Sequence, residues 1–212
     1  MSINGYSCVY KNFKEEIVIE RSRFITEVFP VDNEEGARNK IEEIRKLNPF
    51  ATHNCFAYIV EKGAIARFSD DGEPQGTAGM PILEVIKNKN LVDTLVVVTR
   101  YFGGIKLGAG GLVRAYSGSA ASAINKAGIR NYVFSEYLKI DFSYDKYAGF
   151  LKFKETNKCK IVDQTFAEDV SLTVAVPNEY KDIFRERLTD FMSGKLAISR
   201  LKDGFEDYGE DL

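Results

Sequence analysis

Hydrophobic positions follow two spacings along this chain, and the changes between them predict its secondary structure. EEIVIE and RFITEVFPV predict strands. The spacing then becomes helical from about residue 33 to residue 47, where Ala37, Ile41 and Ile44 share one face and Pro49 ends the helix. Two strands and a helix are therefore expected at the start of the chain.

Strands and helices continue to alternate as far as Gly128. NCFAYIVE and LVDTLVVVTRYF predict strands, and the second is apolar enough to lie at the centre of a sheet. Pro81 marks the first turn of the helix PILEVIKN. The helix that Gly128 ends is expected to bury one stripe of mostly small residues, Leu112, Tyr116, Ala120, Ala123 and Ala127.

The last third of the chain predicts the order βαββαβ over residues 135–202, a ferredoxin-like pattern. Its strands are expected to bury Leu138, Ile140, Phe142, Val170, Leu172, Val174 and Val176. Its helices are expected to bury Tyr147, Phe150, Leu151, Tyr180, Ile183, Phe184, Leu188 and Phe191. Asn178 and Gly194 are the expected N-cap and C-terminal stop of the second helix.

These patterns predict an α+β protein of two domains. The first spans residues 1–134 and the second spans residues 135–202. The acidic segment 203–212 is expected to be a disordered tail, because it is charged and carries few apolar residues.

Composition excludes several classes of protein. A formal net charge of -2 over 212 residues is not that of a polycation, and 44% hydrophobic residues are ordinary for a globular protein. Cys8, Cys55 and Cys159 lie far apart, so neither a disulfide framework nor a zinc site is expected. The start of the chain is polar, and the longest aliphatic run, residues 95–98, is too short for a bilayer. A cytoplasmic protein without a membrane partner is therefore expected.

The segment VVVTRYFGGIKLGAGGLVRAY, residues 96–116, joins a buried strand, a glycine-rich loop and the first turn of a helix. Backbone N–H groups at a helix N-terminus attract anions, and Arg100, Lys106 and Arg114 are expected to converge on the same anion. The loop glycines are Gly103, Gly104, Gly108, Gly110 and Gly111. Neither G-x-G-x-x-G nor the P-loop motif occurs, which argues against the standard nucleotide sites.

Two interpretations of this loop remain open. In the first, the anion is a phosphate of RNA, and Tyr101 or Phe102 stacks on a base. In the second, the glycines serve a tight turn and close contact between helix and sheet. The arginines then pair with acidic residues of the preceding segment ARFSDDGEPQGTAGMP, namely Asp70, Asp71 and Glu73.

Metal-binding and catalytic alternatives have less support in the sequence. The three acidic residues just named offer magnesium ligands, but carboxylates in a loop are more often solvated or paired with arginine. His53 and Cys55 lie two residues apart on a strand, and no third residue orients them as a catalytic pair. Ser69 lies beside two aspartates but lacks the G-x-S-x-G elbow of hydrolases. No catalytic residue, metal or cofactor is therefore assigned.

Four stretches together resemble the YigZ/IMPACT family. They are SRFIT (22–26), THNCFAY (52–58), RFSDDGEPQGTAGMPIL (67–83) and VVVTRYFGGIKLGAGGLVRAY (96–116). The resemblance implies that the glycine loop and a second motif loop form one surface, the second loop contributing Arg67, Ser69, Asp70, Asp71, Glu73 and Thr77. The βαββαβ unit resembles the second domain of bacterial members.

The resemblance also implies a fold and a function. The first domain is expected to have the two-layer α/β fold of a ribosomal protein's second domain, of elongation factor G domain IV and of the GHMP kinases. The second is expected to resemble domain V of elongation factor G. Eukaryotic IMPACT proteins regulate translation through protein contacts. We therefore expect a non-enzymatic binding protein that contacts RNA, the ribosome or translation factors, without DNA sequence readout. A phosphate-handling enzyme that uses magnesium and a protein-binding regulator of translation are the alternatives.

Overall fold

The computed structural model describes residues 4–193 and 197–209 of the chain. The chain forms two compact units. The larger spans Tyr6–Asn131, and the smaller combines residues 4 and 5 with the chain from Tyr132 onward. The boundary lies inside a strand that begins at Ile129 and is continuous across the expected domain break. No described helix combines the length and the apolar character needed to cross a membrane.

The larger unit is a sheet with helices on both faces. The first strand of the chain, β1 (Gly5–Val9), belongs to the second sheet. The strands of the sheet in the larger unit are β2 (Phe13–Ile19), β3 (Ser22–Pro30), β4 (His53–Val60), β5 (Ile65–Ser69) and β6 (Thr94–Tyr101). Its helices are α1 (Glu34–Leu47), α2 (Gly79–Asn88) and α3 (Gly108–Ala127). The sheet has the order β2-β3-β6-β4-β5, and every neighbouring pair is antiparallel.

The central strand β6 separates two apolar cores. Val96 and Val98 join the core under α2 and α3, while Leu95 and Val97 join the core under α1 on the opposite face. The two-layer description therefore fits the sheet with α2 and α3, and α1 adds a layer on the other side. All residues expected on the core stripes of α1 and α3 are buried, so those predictions are confirmed.

The smaller unit has the expected βαββαβ order. Its elements are β7 (Ile129–Phe142), α4 (Tyr147–Thr156), β8 (Lys160–Phe166), β9 (Val170–Pro177), α5 (Lys181–Phe191) and β10 (Ala197–Asp207). The antiparallel strands β10-β7-β9-β8 have the ferredoxin-like order, and β1 also pairs with β7, so the sheet is five-stranded. All the strand residues expected in its core are buried.

Two expected core residues of this unit lie on its surface. Leu151 is 39% exposed and Ile183 is 46% exposed. The buried stripe of α4 continues from Phe150 to Phe153, whose ring packs on those of Phe184 and of other core residues. A spacing of three rather than four residues therefore turns Leu151 away from the core.

The second helix also begins later than expected. Tyr180 is the N-cap of α5, and it supplies no side-chain cap, so the prediction of Asn178 as N-cap is wrong. The backbone N–H of Asn178 instead donates to the carbonyl of Phe134 at 2.9 Å. This bond holds Asn178 beside the sheet before the helix starts. Gly194 lies outside the described residues.

The first half of the predicted disordered tail is a strand. β10 continues to Asp207 and pairs with β7, so the expectation of disorder is wrong for residues 203–207. The Phe205 ring packs on Phe134 with centroids 5.3 Å apart. Glu206 accepts a hydrogen bond from Tyr137 and forms an ion pair with Lys160 at 2.7 Å. These partners are distant in sequence, so local acidity alone gave the wrong prediction.

Candidate anion-binding site

Strand pairing places Arg100 beside residues from two other strands. In the sheet, Arg100 is opposite Phe24 of β3 on one side and opposite His53 of β4 on the other. Residues that are opposite each other in neighbouring strands point to the same face. For Arg100 this is the α2 and α3 face, where its side chain is buried.

An ion pair holds the Arg100 guanidinium in place. Its Nη1 donates to Glu73 Oε1 at 2.6 Å, and its Nη2 donates to Ser22 Oγ at 3.2 Å. The guanidinium also lies 5.3 Å from the ring centroid of Phe24 and 5.5 Å from that of Phe102. Arg100 Nε is buried and has no hydrogen-bond partner among the described residues. Glu73 supplies the opposite charge that a buried guanidinium requires.

Glu73 also binds Tyr116 and approaches the histidine. Burial raises the pKa of Tyr116, so its hydroxyl stays protonated and donates to Glu73 Oε1 at 2.7 Å. The second oxygen, Oε2, lies 3.8 Å from His53 Nε2. His53 Nδ1 lies 2.8 Å from the carbonyl oxygen of Asp71, and a carbonyl only accepts. Nδ1 therefore carries a proton and donates to Asp71.

Cys55 is not arranged as a nucleophile. Its thiol contacts the carbonyl oxygen of Asp70 at 3.0 Å and the Tyr116 hydroxyl at 3.4 Å. Burial raises the pKa of the Cys55 thiol to about 12, and the nearby carboxylates of Glu73 and Asp71 add to the shift. A thiol with this pKa is protonated at neutral pH. The geometry therefore supports packing rather than Cys–His catalysis.

Asp70 caps the start of α2. Its Oδ1 accepts from the backbone N–H of Ala78 at 3.1 Å and of Gly79 at 2.8 Å, and its Oδ2 accepts from Gly76 at 2.8 Å. These bonds satisfy donors that the first turn of a helix leaves free. No group of three residues that could hold a metal ion occurs in the described parts of the chain. The magnesium alternative therefore gains no support.

The other polar side chains of the motif loop also bind partners within the protein. Asp71 accepts from the backbone N–H of Asn54 at 2.6 Å and pairs with Arg45 at 3.1 Å, so it does not hold Arg100 or Arg114. The Ser69 hydroxyl accepts from the backbone N–H of Asp71 at 3.1 Å. Thr77 Oγ1 donates to the carbonyl of Pro74 at 2.6 Å, and the guanidinium of Arg67 lies near Glu34 of α1 instead.

The glycine loop is shorter than the sequence predicted. α3 begins at Gly108, so Gly108, Gly110 and Gly111 belong to its first turn. Arg114 therefore lies in the second turn and not in the first. No side chain caps this helix end and no acidic residue lies in its first turn, so its N–H groups are available to a ligand.

The backbone requires glycine at some of these positions for different reasons, and at one of them it does not require glycine. A side chain at Gly103 would lie 2.0 Å from the carbonyl oxygen of Arg21, so close approach of the backbone requires glycine there. Gly104 and Gly108 have φ angles of +87° and +69°, which also favour glycine. Gly110 has neither constraint. A Cβ there would lie 3.7 Å from Arg114 Nη1, so the Arg114 side chain folds back over the first turn of α3.

The three expected cations do not share one cavity. Arg100 and Lys106 line a cavity of about 400 Å³, whereas Lys106 and Arg114 line a neighbouring concavity of about 450 Å³. Lys106 and Arg114 are both exposed. The surface at the N-terminal end of α3 therefore carries two cations, and Arg100 lies in the wall behind it.

Only one of the two candidate stacking rings is exposed. The Tyr101 hydroxyl donates to Asn48 at 3.0 Å and Arg23 covers its ring at 5.2 Å, so Tyr101 is engaged. Phe102 is 46% exposed and lines the same cavity as Lys106. Sequence reasoning did not assign Ser22 or Tyr116 to the site, because neither carries a charge and both reach Arg100 or Glu73 only through the tertiary fold.

Comparison with known proteins identifies the family of the chain. A protein of Bacillus subtilis (strain 168), IMPACT family member YvyE, is 38% identical to it over 98% of this chain and 95% of its own length. The chain belongs to the IMPACT family. The family model called Impact N-terminal domain matches residues 20–124, and a domain of unknown function (DUF1949) matches residues 140–195. The resemblance to the YigZ/IMPACT family is thus confirmed.

Other members of the IMPACT family and a solved structure agree with this assignment. IMPACT family member YigZ of Escherichia coli (strain K12) is 34% identical over 87% of this chain and 92% of its own length. Protein IMPACT of Danio rerio is 36% identical over 44% of this chain and 31% of its own length. A crystal structure of a hypothetical protein matches with a TM-score of 0.60 and 30% identity, covering 94% of this chain and 98% of that one.

Proposed function

We propose that this protein is a non-enzymatic binding protein that holds phosphates of RNA at the N-terminal end of α3. The proposal rests on the surroundings of the Lys106 and Arg114 side chains. Both are exposed beside a helix end whose dipole repels cations, and neither forms an ion pair with any described residue. An RNA phosphate would neutralise both cations and accept from the free N–H groups of the helix.

Phe102 favours RNA over other polyanions. Its exposed ring lies beside Lys106, and an aromatic side chain next to a cation is the usual arrangement for an unpaired base and its phosphate. Membership of the IMPACT family supports a binding or regulatory role. Cys55, the candidate nucleophile near this surface, is buried and protonated.

The proposal predicts that Arg114→Ala weakens binding of a fluorescently labelled single-stranded RNA. We expect the dissociation constant to rise about three- to tenfold, because one phosphate contact is lost. Fluorescence anisotropy at fixed salt measures it. Arg67→Ala is the matched control, since Arg67 is an exposed arginine on β5 that lines neither concavity.

Two results would contradict the proposal. An equal rise of the dissociation constant in Arg114→Ala and in Arg67→Ala would show that RNA binding depends only on the net charge of the protein. No binding of RNA by the unmodified protein at low salt would exclude RNA as the partner, and would favour the alternative of a protein-binding regulator.

A further inference from the structure

The cavity of about 400 Å³ beside Lys106 has features that phosphate backbone binding does not use. It lies between the end of β6, the motif loop and the first turn of α3. Its wall includes His53, Glu73 and Arg100, which are buried or nearly buried. Cavities of this volume are within the range that small organic molecules occupy.

One side of the cavity offers a hydrogen-bond acceptor. Glu73 Oε1 is used by Arg100 and Tyr116, but Oε2 receives no hydrogen bond from the described residues. His53 Nε2 lies 3.8 Å from this oxygen. A nearly buried carboxylate oxygen on a cavity wall requires a donor, which a hydroxyl or amino group of a ligand supplies.

The opposite side of the cavity favours an anion. Gly108 and Ala109 bring the uncapped first turn of α3 to the cavity, and Lys106 lies on the same stretch of its wall. Arg100 also lines the cavity. The side chains of Lys106, Arg100 and Glu73 together carry a formal charge of about +1.

We infer that this cavity binds a small phosphate monoester that carries hydroxyl groups. The phosphate accepts from the first turn of α3 and pairs with Lys106, because a dianion with three free oxygens suits several N–H donors at once. One hydroxyl group of the ester donates to Glu73 Oε2, and a second lies beside His53 Nε2. The carbon skeleton between them packs on Phe102 and Leu112. The inference goes beyond RNA binding, and it does not require Arg114.

The test uses isothermal titration calorimetry with ribose 5-phosphate, glycerol 3-phosphate and inorganic phosphate. The first variant is His53→Asn, whose side-chain amide can replace the Nδ1 donor toward Asp71 but has no counterpart of Nε2. We expect it to weaken binding of the two esters at least tenfold and to leave the weak binding of inorganic phosphate unchanged. Thermal unfolding checks that the variant is folded.

A second pair of variants tests the helix end without disturbing the buried ion pair. Ala109 is exposed in the first turn of α3, where an acidic residue is compatible with the helix dipole. We expect Ala109→Asp to abolish binding of both esters by repelling the phosphate. Ala109→Asn, which has the same shape without the charge, is expected to keep the affinity within about threefold.

Several outcomes would overturn the inference. They are no binding of either ester at about 10 mM, esters that bind no better than inorganic phosphate, and unchanged ester binding in His53→Asn or in Ala109→Asp. Arg114→Ala and His53→Asn separate the two proposals. The former should weaken only RNA binding, and the latter should weaken only ester binding.

Discussion

Cys55 illustrates how burial decides the chemistry of a single residue. It is two residues from the only histidine of the chain, yet its thiol faces a carbonyl oxygen and a tyrosine hydroxyl. Burial raises the pKa of Cys55 and of Cys159 to about 12 each, and Cys8 is buried as well. For Cys55 and Cys159 the thiolate form, which is the reactive one, is therefore rare in the folded protein.

These pKa values predict that the folded protein reacts slowly with the thiol reagent DTNB. Because the pKa is raised, the fraction of thiolate stays very small between about pH 7 and pH 9, and the reaction should remain slow over that whole range. Addition of denaturant should make all the cysteines react within seconds. Rapid reaction of one thiol in the native protein at pH 8 would contradict the assignment of Cys55 as inert packing.

Arg100 shows what the sequence could predict at the residue scale. Its pairing with an acidic residue of the motif loop was one of two open interpretations, and Glu73 is that residue. The choice between them depended on strand register, which sets Arg100 opposite Phe24 and His53. Register between strands so far apart in sequence is set by tertiary packing, so no local pattern contained it.

At the scale of elements, the motif loop acts as the cap of a helix. Asp70 accepts three backbone N–H groups at the start of α2, which has no side-chain cap at its own N-cap residue, Ala78. The sequence suggested turn chemistry for this aspartate, and that part was correct. It did not show that the turn reaches forward to Ala78 and Gly79, because those residues are eight and nine positions away.

Capping predicts that Asp70→Asn destabilises the protein by about 1–3 kcal/mol, since at least one N–H group then faces an amide donor. Urea unfolding measures the change. Glu84→Gln is the control, because Glu84 is exposed on α2 and pairs only with Lys87, and its change should stay below about 0.5 kcal/mol. A metal role instead of capping would be indicated if magnesium stabilised the unmodified protein but not Asp70→Asn.

The start of α3 is the element that the sequence predicted least well. Glycine is a poor helix former, so Gly108, Gly110 and Gly111 indicated a loop. In the structure the first turn of α3 includes all three. Positive φ explains Gly108, and contact with Leu107 restricts Gly111. Of these three glycines, only Gly110 has no steric constraint that requires glycine, and the Arg114 side chain folds over it.

At the scale of the whole molecule, the order of the helices and strands along the chain was easier to predict than the residues at which they end. The βαββαβ order followed from periodicity, and so did the apolar faces of β7 and β9, which both bury apolar side chains. The end of β10 could not be predicted from periodicity, because its residues contact distant parts of the chain. Phe205 packs on Phe134 and Glu206 accepts from Tyr137, each about 70 residues earlier, and Glu206 also pairs with Lys160. The sequence similarity to a member of the IMPACT family extends over nearly the whole chain.

The salt dependence of RNA binding tests the central claim most directly. Each phosphate that a protein neutralises on a single strand contributes about -0.7 to the slope of log K against log salt. The double variant Lys106→Ala/Arg114→Ala should therefore show a slope shallower by about 1.4 than the unmodified protein, with weaker binding at every salt concentration. An unchanged slope would contradict the claim that these two cations hold RNA phosphates at the N-terminal end of α3.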